Sequence, residues 1–166
     1  MKPKKDRQIT EHFSLFEFVE GKVLIPEAIA LNWKHIKELD EDNMLAILNS
    51  IETDRVEINK EFREENGGIE IGIRITSAFR CEAWEIIKKR KVPSRHSKSY
   101  AVDYVPITRK PELAIKIMDW LEKKHKPRTG WQGGFARKSP TYKDGKLIKT
   151  GFIHKDLQKP LARWDY

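Results

Sequence analysis

The spacing of apolar residues divides the chain into a series of predicted helices and strands. Isoleucines at every second position from Ile69 to Ile75 alternate with polar or small residues, which is the period of a half-buried strand. Ahead of this strand, apolar residues recur at helical spacing from about Asp42 to Glu65. Gly67-Gly68 follows that stretch and predicts the end of the helix.

Two prolines are well placed to begin further helices, because proline is tolerated at a first helical position. Pro26 opens a predicted helix that runs to about Leu39, and Pro111 opens an amphipathic helix. A shorter helix is predicted from about Cys81 to Arg90. The polar stretch from Val92 to Ser99 then predicts a loop.

Short strands make up most of the remaining pattern. Tyr100 to Val105 predicts a strand that ends at Pro106, and Asp144-Gly145 is a hairpin turn signal. Lys149 to Leu157 predicts the return strand. Helices come first, strands mixed with helices follow, and the end is antiparallel, so we expect an α+β fold and not a doubly wound parallel sheet.

Length and composition are those of one domain. The 166 residues, 39% hydrophobic and 35% charged, predict a single domain over 1–166, with residues 1–10 as a flexible basic arm. No apolar run is long enough for a membrane span. The N-terminus has neither the apolar core nor the small-residue cleavage site of a signal peptide, so we expect a protein that is cytoplasmic on synthesis. The sequence does not reveal the oligomeric state, and a monomer is the default expectation.

The charge of the chain favours polyanionic partners. The formal net charge is +8 and the sequence pI is about 9.5. Nucleic acid and an anionic bacterial wall both fit this charge. The sequence shows no helix-turn-helix signature, zinc-finger spacing or aromatic RNA-binding motif, so we do not expect a nucleic-acid partner.

Two histidines lie in sequence contexts that suit metal binding. Only one cysteine is present, so histidine and carboxylate would have to hold a metal ion. His96 lies in a predicted loop seven residues before Asp103, and His154 and Asp156 share one face of a predicted strand. Two imidazoles and a carboxylate suit a zinc ion with an open fourth position. The alternative is two partly buried histidines with local hydrogen bonds.

Four motifs, in order along nearly the whole chain, resemble those of the zinc D-Ala-D-Ala carboxypeptidases. This family includes VanY-type enzymes and many phage endolysins, and hedgehog signalling domains share its zinc fold. The pattern of Ser94, His96, Ser99, Ala101 and Asp103 resembles the family's first zinc motif. The other three are HFSLFEF (12–18), ITSAFR (75–80) and FIHKDLQKPLARW (152–164).

The resemblance implies a hedgehog/DD-peptidase-like α+β fold, with a small, mostly antiparallel sheet, helices packed on one side and a zinc cleft. It implies that His96, Asp103 and His154 bind Zn²⁺ and that Arg80 binds substrate or stabilises an oxyanion. The implied activity is a zinc peptidase that cleaves peptidoglycan peptides next to a D-amino acid. Such a phage or prophage lytic protein would reach the cell wall after lysis or as part of a virion.

Two positions depart from the family pattern. Ser99 replaces a glycine that can serve a backbone conformation with positive φ. Gly151 replaces the acidic general base of several members, which leaves Asp156 as a candidate base or as a partner that orients a metal ligand. Asp156 could instead form an ion pair with Arg163. A zinc-retaining but non-catalytic wall-binding or virion structural module therefore stays open as an alternative.

Overall fold

The computed structural model describes residues 2–127 and 131–158, together with the backbone of residues 163–165. Its α-helices are α1 (Leu15–Glu20), α2 (Pro26–Lys34), α3 (Glu41–Phe62), α4 (Glu82–Ile87) and α5 (Pro111–His125), with a 3₁₀ turn at Ile36–Glu38. Its strands are β1 (Gly72–Ser77), β2 (Ala101–Ile107), β3 (Phe135–Lys138), β4 (Thr141–Lys143), β5 (Lys146–Lys149), β6 (Phe152–Asp156) and β7 (Arg163–Asp165).

The expected α+β class is confirmed. A five-stranded sheet has the order β1-β2-β6-β3-β7, and β4 and β5 form a separate two-stranded sheet. β3 pairs antiparallel with β6 and parallel with β7. Within the described residues, none of the helices combines the length and the apolar character that crossing a membrane requires.

The chain divides into two compact units. The first comprises residues 1–52 and 75–103, and the second comprises residues 53–74 and 104–166. Each boundary falls inside a regular element. The boundary at 52/53 lies in α3, the one at 74/75 lies in β1, and the one at 103/104 lies in β2.

A buried asparagine organises the first unit. The amide of Asn32, on α2, donates to the carbonyls of Val19 and Phe79 at 2.9 and 2.8 Å. Its carbonyl oxygen accepts the N–H of Cys81 at 2.9 Å. Asn32 is fully buried, and its hydrogen bonds replace those that these backbone groups would make with water in the unfolded chain.

Two helices of this unit are shorter than the sequence predicts. α2 ends at Lys34, not near Leu39, and the 3₁₀ turn covers part of the remainder. α4 ends at Ile87, not at Arg90, because Lys89 takes a left-handed conformation with φ of 54°. After α2 the apolar spacing continues through Ile36 to Leu39 although the backbone has left the helix, so it overestimates the length of α2.

The predicted isoleucine strand also begins late. β1 starts at Gly72, and Ile69 is 52% exposed. The side chain of Asn59, on α3, accepts the N–H of Ile71 at 2.7 Å and donates to its carbonyl at 2.8 Å. A backbone that is already bonded to this side chain cannot use the same groups in a strand ladder. From Ile71 onward the predicted alternation of burial holds.

The predicted hairpin at Asp144-Gly145 is confirmed, but the predicted return strand is two strands. Both turn residues have positive φ, at 49° and 73°, as a tight two-residue hairpin requires. This hairpin joins β4 to β5 only. Gly151, with φ of 80°, then separates β5 from β6.

A buried ionic cluster lies in the second unit. Asp54, on α3, accepts hydrogen bonds from Tyr104 at 2.6 Å and from Lys155 at 2.8 Å, and its other oxygen contacts Nε2 of His125 at 2.8 Å. Burial alone would raise the pKa of Asp54, but the charge of Lys155 and the hydrogen bond of His125 lower it to about 2. We refer to these four residues as the Asp54 cluster.

The first prediction concerns acid stability. The pKa of Asp54 is lower in the folded chain, at about 2, than its ordinary value of 3.8. The resulting stabilisation, on the order of 2 kcal/mol, is therefore present above pH about 4 and is lost as the pH falls toward 2. Titration of the side-chain carboxyl carbon by NMR should show Asp54 ionised down to pH about 3. A midpoint near 4 would contradict this.

Candidate metal centre

Strand β6 presents different residues on its two faces. His154 and Asp156 share one face, and Ile153 and Lys155 share the other, as the sequence predicts. In the ladder with β3, His154 lies opposite Ala136 and Lys155 lies opposite Phe135. All four residues from Ile153 to Asp156 are buried.

A backbone carbonyl fixes the orientation of His96. Its Nδ1 lies 2.6 Å from the carbonyl oxygen of Ala78, which can only accept, so Nδ1 is the donor. A histidine that donates from Nδ1 coordinates a metal ion through Nε2. The turn that carries His96 is closed by reciprocal hydrogen bonds between Ser94 and Ser97 at 2.9 and 3.0 Å.

The three predicted ligands come together. One ligand atom from each of His96, Asp103 and His154 lies within 4.8 Å of the others, so the group could hold a metal ion. Nε2 of His96 is 3.6 Å from Oδ2 of Asp103. Two ligands of one tetrahedral zinc ion lie about 3.4 Å apart, so this one distance is close to that of a zinc site, and two imidazoles with a carboxylate are donors that zinc accepts. Asp103 is the most exposed of the three, at 12% of its side chain.

Asp156 is held in a backbone cradle next to His154. One carboxylate oxygen accepts the N–H groups of Gly134 at 2.9 Å and of Gln158 at 2.8 Å. The other lies 3.3 Å from Nε2 of His154. A histidine that donates from Nε2 to a carboxylate presents Nδ1 to a metal ion. The cradle therefore suits a residue that orients His154. The predicted role as a base is untested, and the side chain of Arg163 lies outside the described residues.

Close packing around this cradle requires glycine. A Cβ at Gly134 would overlap the carboxylate of Asp156, and one at Gly133 would overlap its backbone carbonyl. The indole N–H of Trp131 donates to that same carbonyl at 2.9 Å. The sequence gives no local sign of this packing, because its partner, Asp156, is more than twenty residues away.

Gly151, where several family members have an acidic base, has no room for a side chain. Its φ is 80°, and a Cβ there would overlap the carbonyl oxygen of Lys138. An acidic residue at this position would require a different path of the chain before β6.

Ser99 adopts a left-handed backbone conformation, which glycine takes more readily than any other residue. Its φ is 60°, and it is fully buried. Its hydroxyl accepts the N–H of Asp40 at 3.0 Å, and its own N–H donates to the carbonyl of His96 at 3.2 Å. These bonds hold a strained residue in place on the chain between His96 and Asp103.

Arg80 lies beside the turn that carries His96. Its backbone N–H points to the carbonyl of His96 at 3.5 Å. Its guanidinium forms an ion pair with the buried carboxylate of Glu85 at 2.9 Å, and Arg90 reaches the same carboxylate oxygen at 3.2 Å. Arg80 is thus positioned near one predicted ligand, while its predicted role toward a substrate is untested.

The three other histidines have carboxylate partners away from the metal group. His12 contacts Glu52 at 2.9 Å, and the half-exposed His35 contacts Glu38 at 2.7 Å. His125 belongs to the Asp54 cluster. The sequence gives no sign of that cluster, since its residues are spread from position 54 to position 155.

The second prediction concerns the strain at Ser99. Ser99→Ala keeps a side chain at positive φ, whereas Ser99→Gly removes it, and both lose the hydroxyl. We expect the glycine variant to be more stable by about 1 kcal/mol in urea unfolding. Ser97 is not among the described residues with positive φ, so it serves as the control. There, Ser97→Ala should be more stable than Ser97→Gly. Equal stability of the two Ser99 variants would contradict the assigned strain.

No protein-family model matches the chain, and no curated protein or solved structure matches it either. The resemblance to zinc D-Ala-D-Ala carboxypeptidases therefore stays a prediction that depends on the motifs and on the geometry of the metal group.

Proposed function

We propose that this protein is a zinc-dependent peptidase that cleaves peptidoglycan peptides next to a D-amino acid, as part of a phage or prophage lytic system. The observation that carries the proposal is the convergence of His96, Asp103 and His154, two imidazoles and a carboxylate of the kind that suit zinc, within 4.8 Å. The motif order along the chain supports the choice of substrate. A net charge of +8 suits an anionic wall.

The residues around the group have distinct proposed roles. His96, Asp103 and His154 would hold the ion, which when bound supplies Lewis-acid polarisation of a carbonyl and a lowered pKa for water. Asp156 would keep the proton of His154 on Nε2. Arg80 would bind the substrate or stabilise negative charge on its carbonyl oxygen.

A second candidate is a wall-binding or virion structural module that retains zinc but does not hydrolyse peptides. Two observations favour it. Gly151 has no room for an acidic side chain, and one oxygen of Asp156 is occupied by two backbone N–H groups. Either arrangement limits the supply of a general base.

The third prediction tests the metal centre and the activity together. Protein purified without chelator should contain about one zinc per chain by mass spectrometry. His154→Ala should lose the metal, because two remaining ligands hold zinc poorly. His35→Ala should retain it, since His35 contacts Glu38. The wild type should also release D-alanine from a peptide that ends in D-Ala-D-Ala, and a chelator should abolish the release.

The outcomes separate the two candidates. A folded, metal-free wild type that cannot be reloaded with zinc would overturn the metal centre. Stoichiometric zinc without hydrolysis of any wall peptide, including cross-linked and L-Ala-D-Glu bonds, would select the non-catalytic module.

The fourth prediction concerns Arg80. Arg80→Gln should lower kcat/KM by about a hundredfold, the loss typical of a removed oxyanion donor, without loss of zinc. Arg90→Gln is the matched control, because Arg90 shares the carboxylate of Glu85. If the two variants lose activity equally, Arg80 acts only through Glu85 and has no contact with the substrate.

A further inference from the structure

The residues that follow two of the predicted metal ligands both point away from the metal group. Tyr104 follows Asp103 on β2, and Lys155 follows His154 on β6. Successive side chains of a strand lie on opposite faces, so Tyr104 and Lys155 lie behind the ligands. Both side chains are buried, with Tyr104 fully so.

The two side chains meet at one atom. The hydroxyl of Tyr104 and the ammonium of Lys155 both donate to Oδ2 of Asp54, at 2.6 and 2.8 Å. Oδ1 of the same carboxylate contacts Nε2 of His125, on α5, at 2.8 Å. Asp54 lies in the middle of the 22-residue helix α3, which gives this meeting point a rigid support.

Stability alone is a weak reason for such a cluster. Moving an aspartate and a lysine out of water costs several kcal/mol per ion, and apolar residues of similar volume often serve as well or better. Hydrogen bonds to one oxygen do, however, fix distances and directions that apolar packing leaves variable. The cluster therefore suits a requirement for defined positions.

We propose that Asp54 is a positioning residue for the metal group: by holding Tyr104 and Lys155 at one point behind the sheet, it fixes the placement of Asp103 and His154 in front of it. This inference rests on the proposed metal centre. It also assigns Tyr104 and Lys155 as the links through which Asp54 acts. We therefore expect the geometry of the bound metal to depend on the carboxylate of Asp54, although Asp54 itself contacts neither the metal nor its ligands.

The fifth prediction uses the full chain and metal alone as the probe. We expect Asp54→Asn to weaken Zn²⁺ binding about tenfold in competition with a chromophoric chelator, the lower end of the loss seen for outer residues of metal sites. Tyr104→Phe removes a single hydroxyl and should weaken binding in the same direction. Both variants should shift the visible absorption of the Co²⁺-loaded protein, which reports ligand geometry and not stability.

Asn59→Ala is the matched control. Asn59 also lies on α3 and binds backbone groups of Ile71, outside both ligand strands, so its loss lowers stability without acting on the ligands. The inference holds if the control leaves the Zn²⁺ affinity and the Co²⁺ spectrum unchanged while Tyr104→Phe alters both. If Asp54→Asn folds, it must alter both as well, and if it does not fold, Tyr104→Phe decides.

Two results would overturn the inference, and they differ from each other. A wild type that binds neither Zn²⁺ nor Co²⁺ removes the proposed metal centre, and the positioning role with it. A metal-binding wild type whose affinity and Co²⁺ spectrum are unchanged by Tyr104→Phe, or are changed equally by Asn59→Ala, removes the positioning role alone.

Discussion

Asp54 places a negative charge in the interior of the second unit, and the need to balance that charge accounts for several other features. A buried carboxylate is tolerated only with close donors, which Lys155, Tyr104 and His125 supply. Lys155 reaches Asp54 only if β6 directs it away from His154, so the charge in the core also sets which face of β6 carries His154, the candidate metal ligand. This explains how a strand with three ionisable residues in succession, His154 to Asp156, can be buried on both faces.

The parts of the structure that local pattern determines could be predicted from the sequence. Helices begin at Pro26 and Pro111 because proline pre-sets the first helical φ. The hairpin forms at Asp144-Gly145 because both positions need positive φ. Spacing indicates that His96 and Asp103, seven residues apart on a loop and the following strand, can lie close together, but it is the resemblance that implies a group of three with His154.

Features that depend on distant partners could not be predicted in this way. β1 begins later than predicted because Asn59 bonds the backbone of Ile71. These hydrogen bonds join helix α3 to a segment twelve residues away. The Asp54 cluster spans about a hundred residues, and each member taken alone has an ordinary interpretation as a surface charge, a core aromatic or a helix-end histidine. The position of Lys155 on the inner face follows from the period of the strand, but the carboxylate that meets it does not.

The local chemistry beside His154 is constrained by backbone as much as by side chains. Gly151 turns the chain with φ of 80° against Lys138, and Gly133-Gly134 lets the chain approach Asp156 closely. The first constraint removes an acidic side chain from the position where several family members have one. The second holds a different carboxylate, that of Asp156, against the imidazole of His154. One oxygen of this carboxylate accepts two backbone N–H groups and the other faces the imidazole of His154, so the carboxylate is held in a position that suits orienting His154. Asp156 therefore fits the role of holding His154 better than that of a general base, and the proposed peptidase activity would need its base from another group.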